Sequence, residues 1–514
     1  MSLRNGARIA VVGTGVSGLS FAHFLTQLRP DLHITLYDAS SRPGGYIYSQ
    51  LHNINGNNVL LEKGPRTLRG ASDGTVMIAD TLLKLGEDDK IKVIPSSSIS
   101  NKKYLLSPRD ELIQVPNSFA SFRKFVQSPL GKGLVSGFVK EPLQKSQHNN
   151  DESVSSFLGR RFGESLPQNV ISAVFHGVYA ADIGKLSAKT TLKSMFEAEK
   201  EHGSIVKSML VKTFQKKPPA DLSETLKDYE SRLPSCYSIS HLSQILKKFP
   251  MLTFEGGLET FPKTIYKQLA TDKNIDFKFN TPVESISNTD KGTISINGTT
   301  YDHIHTTINA SGLSRAIPQT KTASLASKLT YIDIHMINIY VPSHILKHTG
   351  FGYLVPMAHD NPKSILGVIF DSDVEKGSIP LFKNNTHLTE GTHPELNPEY
   401  KDQDYTKLTV MMGGHFWSES GRPTDLEKTT KDALLEVEKH LGVKFSDDCY
   451  IDHSYIPQCL PQYHVGYESL KKQFGDAVKE EFNGKLTFGG MSFGDGAGVP
   501  DCVSNAYKNA VALA

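Results

Sequence analysis

The sequence predicts a mixed α/β protein that carries a helical insert, and three observations predict it. The chain opens on a short β-branched run, Ile9–Val12. That run breaks into Gly13-Thr14-Gly15-Val16-Ser17-Gly18, continues as a helical pattern through Leu19, Phe21, Ala22 and Leu25, and returns to a β-rich run, His33–Tyr37, ending on Asp38. The chain closes on the same succession: a strand at 485–488, a glycine-rich loop at 489–498 and a helix from Val499. Between them, helical signals dominate from Ser153 to about Lys248, and β-rich runs return at Met251.

Each part of the opening unit has a physical job. Gly13 takes the tight turn, Gly15 lets the backbone approach a pyrophosphate, and Gly18 lets helix and strand pack closely. Free N–H groups at the helix start face the phosphates. Asp38, 20 residues after Gly18, stands where a carboxylate accepts hydrogen bonds from a ribose. Three glycines alone often mark an ordinary turn. With both strands, the helix and the acid in place, the unit reads as a dinucleotide site.

The totals bound the rest. At 514 residues the chain is too long for one ordinary core, and length alone predicts about three domains. With 38% hydrophobic and 21% charged residues it has the composition of a globular protein, and a net charge of +2 implies no nucleic-acid partner. Cys236, Cys449, Cys459 and Cys502 are scattered, with neither metal spacing nor a disulfide framework. The histidines do not cluster as ligands, so no metal is expected. No apolar stretch reaches the ~18 residues of a spanning helix. With the first strand at Arg8, no signal peptide is expected.

After Asp38, Arg42-Pro43-Gly44-Gly45-Tyr46 brings a second glycine turn that NAD does not need. It suits a longer cofactor, and a plain Pro-Gly-Gly turn is the alternative. The strand Asn58–Leu61 leads into Glu62-Lys63-Gly64-Pro65-Arg66, whose glycine and arginine suit the lining of a flavin site. A helix and strand follow over 75–95, and then a hairpin, Lys102–Pro116, around Ser107-Pro108-Arg109-Asp110. Next is a basic amphipathic stretch, 117–140. Phe119, Phe122, Phe125 and Val126 share one helical face; Leu134, Phe138 and Val139 share another; Arg123, Lys124, Lys132 and Lys140 are interleaved. It reads either as surface helices on a core or as an element lying in a membrane interface. Residues 144–151 read as a surface loop, and Lys216-Lys217-Pro218-Pro219 as an exposed break. Strands are expected at Met251–Phe254, Ile275–Phe279, Thr281–Ile286, His303–Ala310, Thr330–Val341, Gly350–Pro356, Ile365–Asp371 and Leu408–Gly414, with a helix at Asp425–Leu441. The closing strand, glycine loop and helix cradle the other end of a long anionic cofactor.

These pieces together resemble the flavin amine oxidase superfamily. The resemblance rests on the opening fingerprint with Gly44-Gly45, the Gly256-Gly257 turn and the C-terminal glycine loop. Narrower matches resemble the protoporphyrinogen oxidase family: residues 61–66, Arg160-Arg161-Phe162-Gly163, residues 177–182, Phe196-Glu197-Ala198-Glu199, residues 350–356, residues 410–414, residues 457–463 and residues 498–502. The resemblance spans nearly the whole chain. It implies a Rossmann-like FAD-binding domain (1–95, 251–312 and 484–514), a mixed-sheet substrate domain (96–117 and 313–483) and a helical, membrane-associated insert (118–250). It implies six-electron oxidation of protoporphyrinogen IX to protoporphyrin IX in haem synthesis, in three flavin cycles, with dioxygen reoxidising the flavin to yield hydrogen peroxide. It further implies a monotopic protein of the mitochondrial inner membrane, a homodimer and a ferrochelatase contact.

Carried over position by position, the resemblance assigns FAD to Gly13, Thr14, Gly15, Val16, Ser17, Gly18, Asp38, Ala39, Ser40, Arg42, Gly44, Gly45, Tyr46, Gly64, Pro65, Arg66, Thr67, Val283, Ala310, Gly490, Ala497, Gly498 and Val499. It assigns the substrate to Phe351, Gly352, Leu354, Leu366, Ile369 and Met411, an apolar set suited to a tetrapyrrole disc. Gly352 is expected to let the ring approach and its carbonyl to meet pyrrole N–H. The cation is a departure: the family commonly has arginine near residue 103, and this chain has Lys102-Lys103-Tyr104. Lys103 is the expected propionate partner, with Arg109 or solvent as rivals; a lysine lacks the bidentate fork. No catalytic Ser/His/Asp constellation is expected, because hydride transfer to a flavin needs position more than an acid–base pair. The rival classes are a flavin amine or polyamine oxidase, which favours an aromatic cage where this chain has one tryptophan, Trp417, and a flavin-binding scaffold without turnover.

Overall fold

A computed structural model describes residues 3–514 except 71, 148, 215–221, 236, 291, 384, 385 and 388–403. The expected break at Lys216–Pro219, and Cys236, lie outside the described residues.

A five-stranded sheet gathers pieces from both ends of the chain. Its order is Ile275–Lys278, His33–Tyr37, Arg8–Val12, His303–Thr306 and Leu486–Phe488, and every pair is parallel. Parallel strands buried on both faces need apolar residues throughout, and Ile9, Ala10, Val11 and Val12 are all buried. The first helix, Val16–Leu28, and the last, Val499–Leu513, pack side by side on one face. Asp73–Lys84 joins them there, and so do two helices from the middle of the chain, Glu224–Arg232 and Ile239–Leu246. On the other face lie Ala310–Ala316, Lys321–Ala326 and Tyr467–Glu481, together with a small antiparallel sheet over 286–301. The expected strand Thr281–Ile286 is a correction. Residues 281–285 are irregular, and the strand runs over Ile286–Asn288. Pro282 cannot donate to a ladder, which blocks the earlier register.

The second layer is a seven-stranded sheet. Its order is Tyr450–Pro461, Tyr331–Val341, Thr406–Gly413, Ile365–Ile369, Gly352–Leu354, Lys103–Leu106 and Leu112–Gln114. The hairpin 103–114 thus adds to strands some 250 residues later, with Lys103 opposite Gly352. One face packs on the helix Leu426–Leu441 through Ile337, Tyr353, Val368, Val410 and Met412. The other face looks toward Ser172–Tyr179 and the first layer.

Helices between 119 and 214 form a separate cluster around Phe157, Leu158 and Phe162. Its polar centre is a buried ion-pair hub. Arg161 bonds Glu141, and its Nη1 lies 3.3 Å from Glu199 Oε1; Arg160 Nη2 lies 2.6 Å from Glu199 Oε2 and 2.7 Å from Glu152 Oε1. Glu141 also accepts from the Ser204 hydroxyl and the backbone N–H of Ile205 and Val206, so it fastens the start of the helix Ile205–Phe214.

Candidate functional site

The two glycine units meet in space. A side chain at Gly490 would come within 3.0 Å of the Thr307 carbonyl and 3.7 Å of Ser17 Oγ, so the closing loop lies against the opening turn. The glycines there answer to backbone contacts. A Cβ on Gly18 would stand 1.9 Å from the Gly13 carbonyl, and one on Gly64 would stand 2.1 Å from the Tyr46 carbonyl. At Gly15 the added Cβ would meet only the Gly45 Cα, at 3.9 Å, which leaves open space for a ligand. The turn is stitched to the second glycine doublet by Gly44 N–H donating to Thr14 O at 2.9 Å. The helices beginning at Val16 and Val499 both start after a glycine, Gly15 and Gly498, with no side-chain hydroxyl or carboxylate of their own at the cap position. Open space over Gly15 and two glycine-started helix N-termini on one sheet fit a long phosphate-bearing cofactor. The residues present therefore suit FAD.

Several assigned residues are already engaged within the protein. Asp38 Oδ2 accepts from Thr14 N–H and its hydroxyl, and Oδ1 accepts from Ser40 N–H and its hydroxyl, all at 2.7–2.8 Å. The carboxylate thus clamps the two loops that flank it. Ala39 and Ser40 lie exposed beside it, and the Ser40 carbonyl accepts from Asn280 N–H. Arg42 donates to the carbonyls of Pro43, Gly45 and Ile47, lies 3.4 Å from Glu259 Oε1 and stacks over Tyr48, holding the Gly44-Gly45 turn. Tyr46 reaches across to the seven-stranded sheet, its hydroxyl donating to the Gln458 carbonyl at 3.0 Å. Arg66 is buried, with Nη1 3.1 Å from Asp371 Oδ1; Asp371 accepts in turn from the Thr409 hydroxyl. Arg66 therefore ties the loop Gly64-Pro65-Arg66-Thr67 to the second layer. Val283 sits half-buried in the irregular 281–285 segment. Ala310 N–H donates to the Tyr331 hydroxyl at 2.7 Å, and Ala497 packs at the edge of the same core.

The apolar residues assigned to substrate share the sheet face away from Leu426–Leu441. Leu366 and Met411 pack with Ala180, Ile332, Cys459 and Ile456. Phe351 and Ile369 pack with Ile94, Met251 and Val374. Leu354 meets Gly177, where an added Cβ would come within 2.9 Å of Leu354 Cδ2. An irregularity in register between Ile365 and Gly367 accompanies the turn of Leu366 to this face. Gly352 has φ of 137°, and a Cβ there would stand 2.1 Å from the Val368 carbonyl. Glycine at 352 is thus required by the neighbouring strand, independently of any ring approach.

Lys103 lies at the edge of this face, its Nζ 5.9 Å from the Phe351 ring centroid. Burial, then the nearby charge of Arg69, lower its pKa. Sequence reasoning missed Arg69. It sits on the two-residue strand Leu68–Arg69, is exposed, and makes no ion pair among the described residues. Its charge reaches Lys103, Tyr179 and Asp501, residues from the hairpin, the helical cluster and the last helix. The one sequence signal available was a second arginine three residues after Arg66. Arg109 lies in the hairpin turn, its N–H donating to the Ser107 hydroxyl.

Comparisons with known proteins agree with this arrangement. A family model described as flavin containing amine oxidoreductase matches residues 16–374. Protoporphyrinogen oxidase of Saccharomyces cerevisiae is 38% identical over 540 residues, covering 99% of this chain and 98% of that protein. Protoporphyrinogen oxidase of Schizosaccharomyces pombe is 28% identical, covering 98% of each. Among solved structures, cyclohexylamine oxidase from Brevibacterium oxydans superposes with a TM-score of 0.60 at 13% identity, covering 99% of this chain and 98% of that one, a likeness of fold. The chain belongs to the flavin containing amine oxidoreductase family and, within it, to the protoporphyrinogen oxidases.

Proposed function

We propose that this chain is an FAD-dependent oxidase that converts protoporphyrinogen IX to protoporphyrin IX in haem synthesis. The observation that carries the reading is the meeting of the opening and closing glycine units across from one apolar sheet face edged by cations. Gly13–Gly18, Asp38–Ser40, Arg42, Gly44–Tyr46 and Gly64–Thr67 hold one part of the cofactor, and Val283, Ala310, Gly490 and Ala497–Val499 hold the rest. When bound, the flavin supplies a two-electron acceptor that dioxygen restores with release of hydrogen peroxide, so three turnovers remove six electrons.

The chain's own residues bind and orient. Phe351, Leu354, Leu366, Ile369 and Met411, with Gly352 between them, offer the apolar wall for the macrocycle and exclude water from it. Lys103, joined by Arg69, meets a propionate. No side chain is assigned a proton-transfer role.

The division into 1–95, 96–117, 118–250, 251–312, 313–483 and 484–514 is part of this reading, with the exception that the helices Glu224–Arg232 and Ile239–Leu246 pack on the first sheet and not with the helical insert. So is a monotopic place on the mitochondrial inner membrane. No helix among the described residues is long and apolar enough to cross a membrane. Support for surface attachment comes from apolar side chains facing solvent: Phe119 and Phe122, Phe138 and Val139, Leu143, and Met209, Leu210 and Phe214. A homodimer and a ferrochelatase contact rest on the resemblance alone.

The test is aerobic mixing of the purified holoprotein with protoporphyrinogen IX, followed by porphyrin fluorescence. Catalysed appearance of protoporphyrin with peroxide formation supports the reading. A rate equal to autoxidation refutes it, and turnover of benzylamine or polyamines instead assigns the chain to the amine oxidases. Faster turnover of coproporphyrinogen III corrects the substrate.

A further inference from the structure

Three side chains far apart in sequence meet beside the seven-stranded sheet. Asp110 lies in the turn of the hairpin 103–114, His359 in the loop after Gly352–Leu354, and His440 in the last turn of the helix Leu426–Leu441. One ligand atom of each lies within 4.8 Å of the others. His359 Nε2 is 2.8 Å from Asp110 Oδ1. The side chains of His359 and His440 are 7% and 1% exposed, yet each keeps a ring nitrogen with no hydrogen-bond partner, Nδ1 of His359 and Nε2 of His440. A buried polar atom without a hydrogen bond costs stability, and His440 Nε2, beside Glu436, is the one that a ligand in this cluster would satisfy; His359 meets the cluster through Nε2, which faces Asp110.

The surroundings select a cation. Glu436 Oε1 lies 3.3 Å from His440 Nε2. Lys439 Nζ lies 3.0 Å from Asp110 Oδ2 and 3.2 Å from Glu436 Oε1, so the fold already holds a positive charge between the two carboxylates. An open cavity of about 370 Å³, lined by Asp182, His359, Asp360, Asn361, His415 and Glu419, leads to His359 from solvent. Three of its nine lining residues are acidic, Asp182, Asp360 and Glu419.

We propose that Asp110, His359 and His440 bind a divalent transition metal ion, with zinc the best fit, that Glu436 is the fourth ligand, and that the ion displaces the Lys439 ammonium. Two imidazoles with two carboxylates suit zinc. Zinc–ligand bonds of about 2.0–2.1 Å put tetrahedral ligand atoms about 3.3 Å apart. The ligand atoms of Asp110, His359 and His440 lie within 4.8 Å of one another, and Glu436 Oε1 lies 3.3 Å from His440 Nε2, so side-chain movement that also draws Glu436 toward Asp110 is needed to close the site. Two carboxylate charges balance the ion once the ammonium leaves. The site also touches the sheet's interior, since His440 Nδ1 lies 2.9 Å from the Tyr353 hydroxyl, and Tyr353 is the middle residue of the strand Gly352–Leu354.

The test is calorimetric titration of the tag-free, chelator-washed holoprotein with zinc sulfate, with magnesium as the control ion. One zinc per chain is expected, with no saturable magnesium binding. His359→Ala and Asp110→Asn are each expected to weaken zinc at least tenfold. Lys439→Met removes the competing cation and no ligand from an exposed position, so it is expected to tighten zinc. Flavin absorbance and far-ultraviolet circular dichroism verify that each variant is folded; a misfolded His359→Ala leaves the decision to Lys439→Met. Equal zinc affinity in the parent and both ligand variants, or no binding in the parent and Lys439→Met alike, overturns the proposal.

Discussion

Replacing Arg69 tests the proposed substrate clamp most directly. Arg69 and Lys103 carry like charges that act on one another, and neither forms an ion pair among the described residues. Two such cations beside an apolar face gain an electrostatic partner when a propionate arrives. A hydrogen bond to a charged group contributes roughly 1.5–3 kcal/mol. Every 1.4 kcal/mol is about tenfold in binding, so Arg69→Ala is expected to raise KM by about 10- to 150-fold. Lys103→Ala is expected toward the lower end, because a lysine offers no bidentate fork. If both grip the same carboxylate, the double variant departs from the sum of the singles by at least about 0.5 kcal/mol. Arg69 also acts on Asp501, whose carboxyl is pushed up by burial and held down by its N–H bond from Gly498 and by Arg69. Arg69→Lys therefore serves as the control that keeps the charge. The assay is the initial rate of porphyrin fluorescence across a range of porphyrinogen, normalised to flavin absorbance. KM within twofold of the parent for both single variants would remove the clamp from the argument.

Three further outcomes are expected. Phe119 and Phe214 are 85% and 82% exposed, and burying a phenylalanine side chain is worth about 1.5–3 kcal/mol, so Phe119→Asp with Phe214→Asp should weaken binding to cardiolipin-containing vesicles at least a hundredfold; unchanged cosedimentation refutes the attachment surface. Glu141→Gln should cost about 3–5 kcal/mol in urea denaturation by stranding Arg161, and adding Arg161→Met should restore part of it; a loss under about 1 kcal/mol shows that Glu199 alone suffices. Burial raises the Glu62 pKa to about 7, against hydrogen bonds from Ser49 and Leu258 that lower it. A carboxyl raised in the folded state binds more protons than in the unfolded chain, so stability falls as pH rises from about 4.5 to about 7, by about 3 kcal/mol in all, and levels off above. Glu62→Gln should flatten that slope, and an unchanged slope assigns it to other groups.

The residues that were legible in the sequence are those whose physics is local. Gly18 and Gly64 read as glycines with a job because a turn followed by a helix, or a strand followed by Gly-Pro, limits what the backbone can do, and the clashes at 1.9 and 2.1 Å give that limit its size. The strands Arg8–Val12, His33–Tyr37 and Met251–Phe254 read correctly because a parallel or fully covered strand is apolar at nearly every position. The longest strand, Tyr450–Pro461, carries the opposite pattern. It mixes Asp452, His453, Ser454 and Gln458 with apolar residues, and it is a strand because eleven-residue Tyr331–Val341 lies beside it. No local signal carries that, as a neighbour more than a hundred residues away supplies the hydrogen bonds.

The same distinction separates the two kinds of site. The cofactor turns are short motifs, so spacing along the chain is spacing in the fold. Asp110, His359 and His440 are 249 and 81 residues apart and come together only because the hairpin 103–114 adds to the strand Gly352–Leu354 while the helix Leu426–Leu441 covers the opposite face. Scattered histidines read as unclustered until that pairing is known. Arg69 follows the same logic: its place opposite Met251 lets its charge act on both Lys103 and Asp501, which the sequence separates by almost four hundred residues. Function that rests on a loop's own geometry is written in the sequence; function that rests on the register of distant strands appears only when the sheet is assembled.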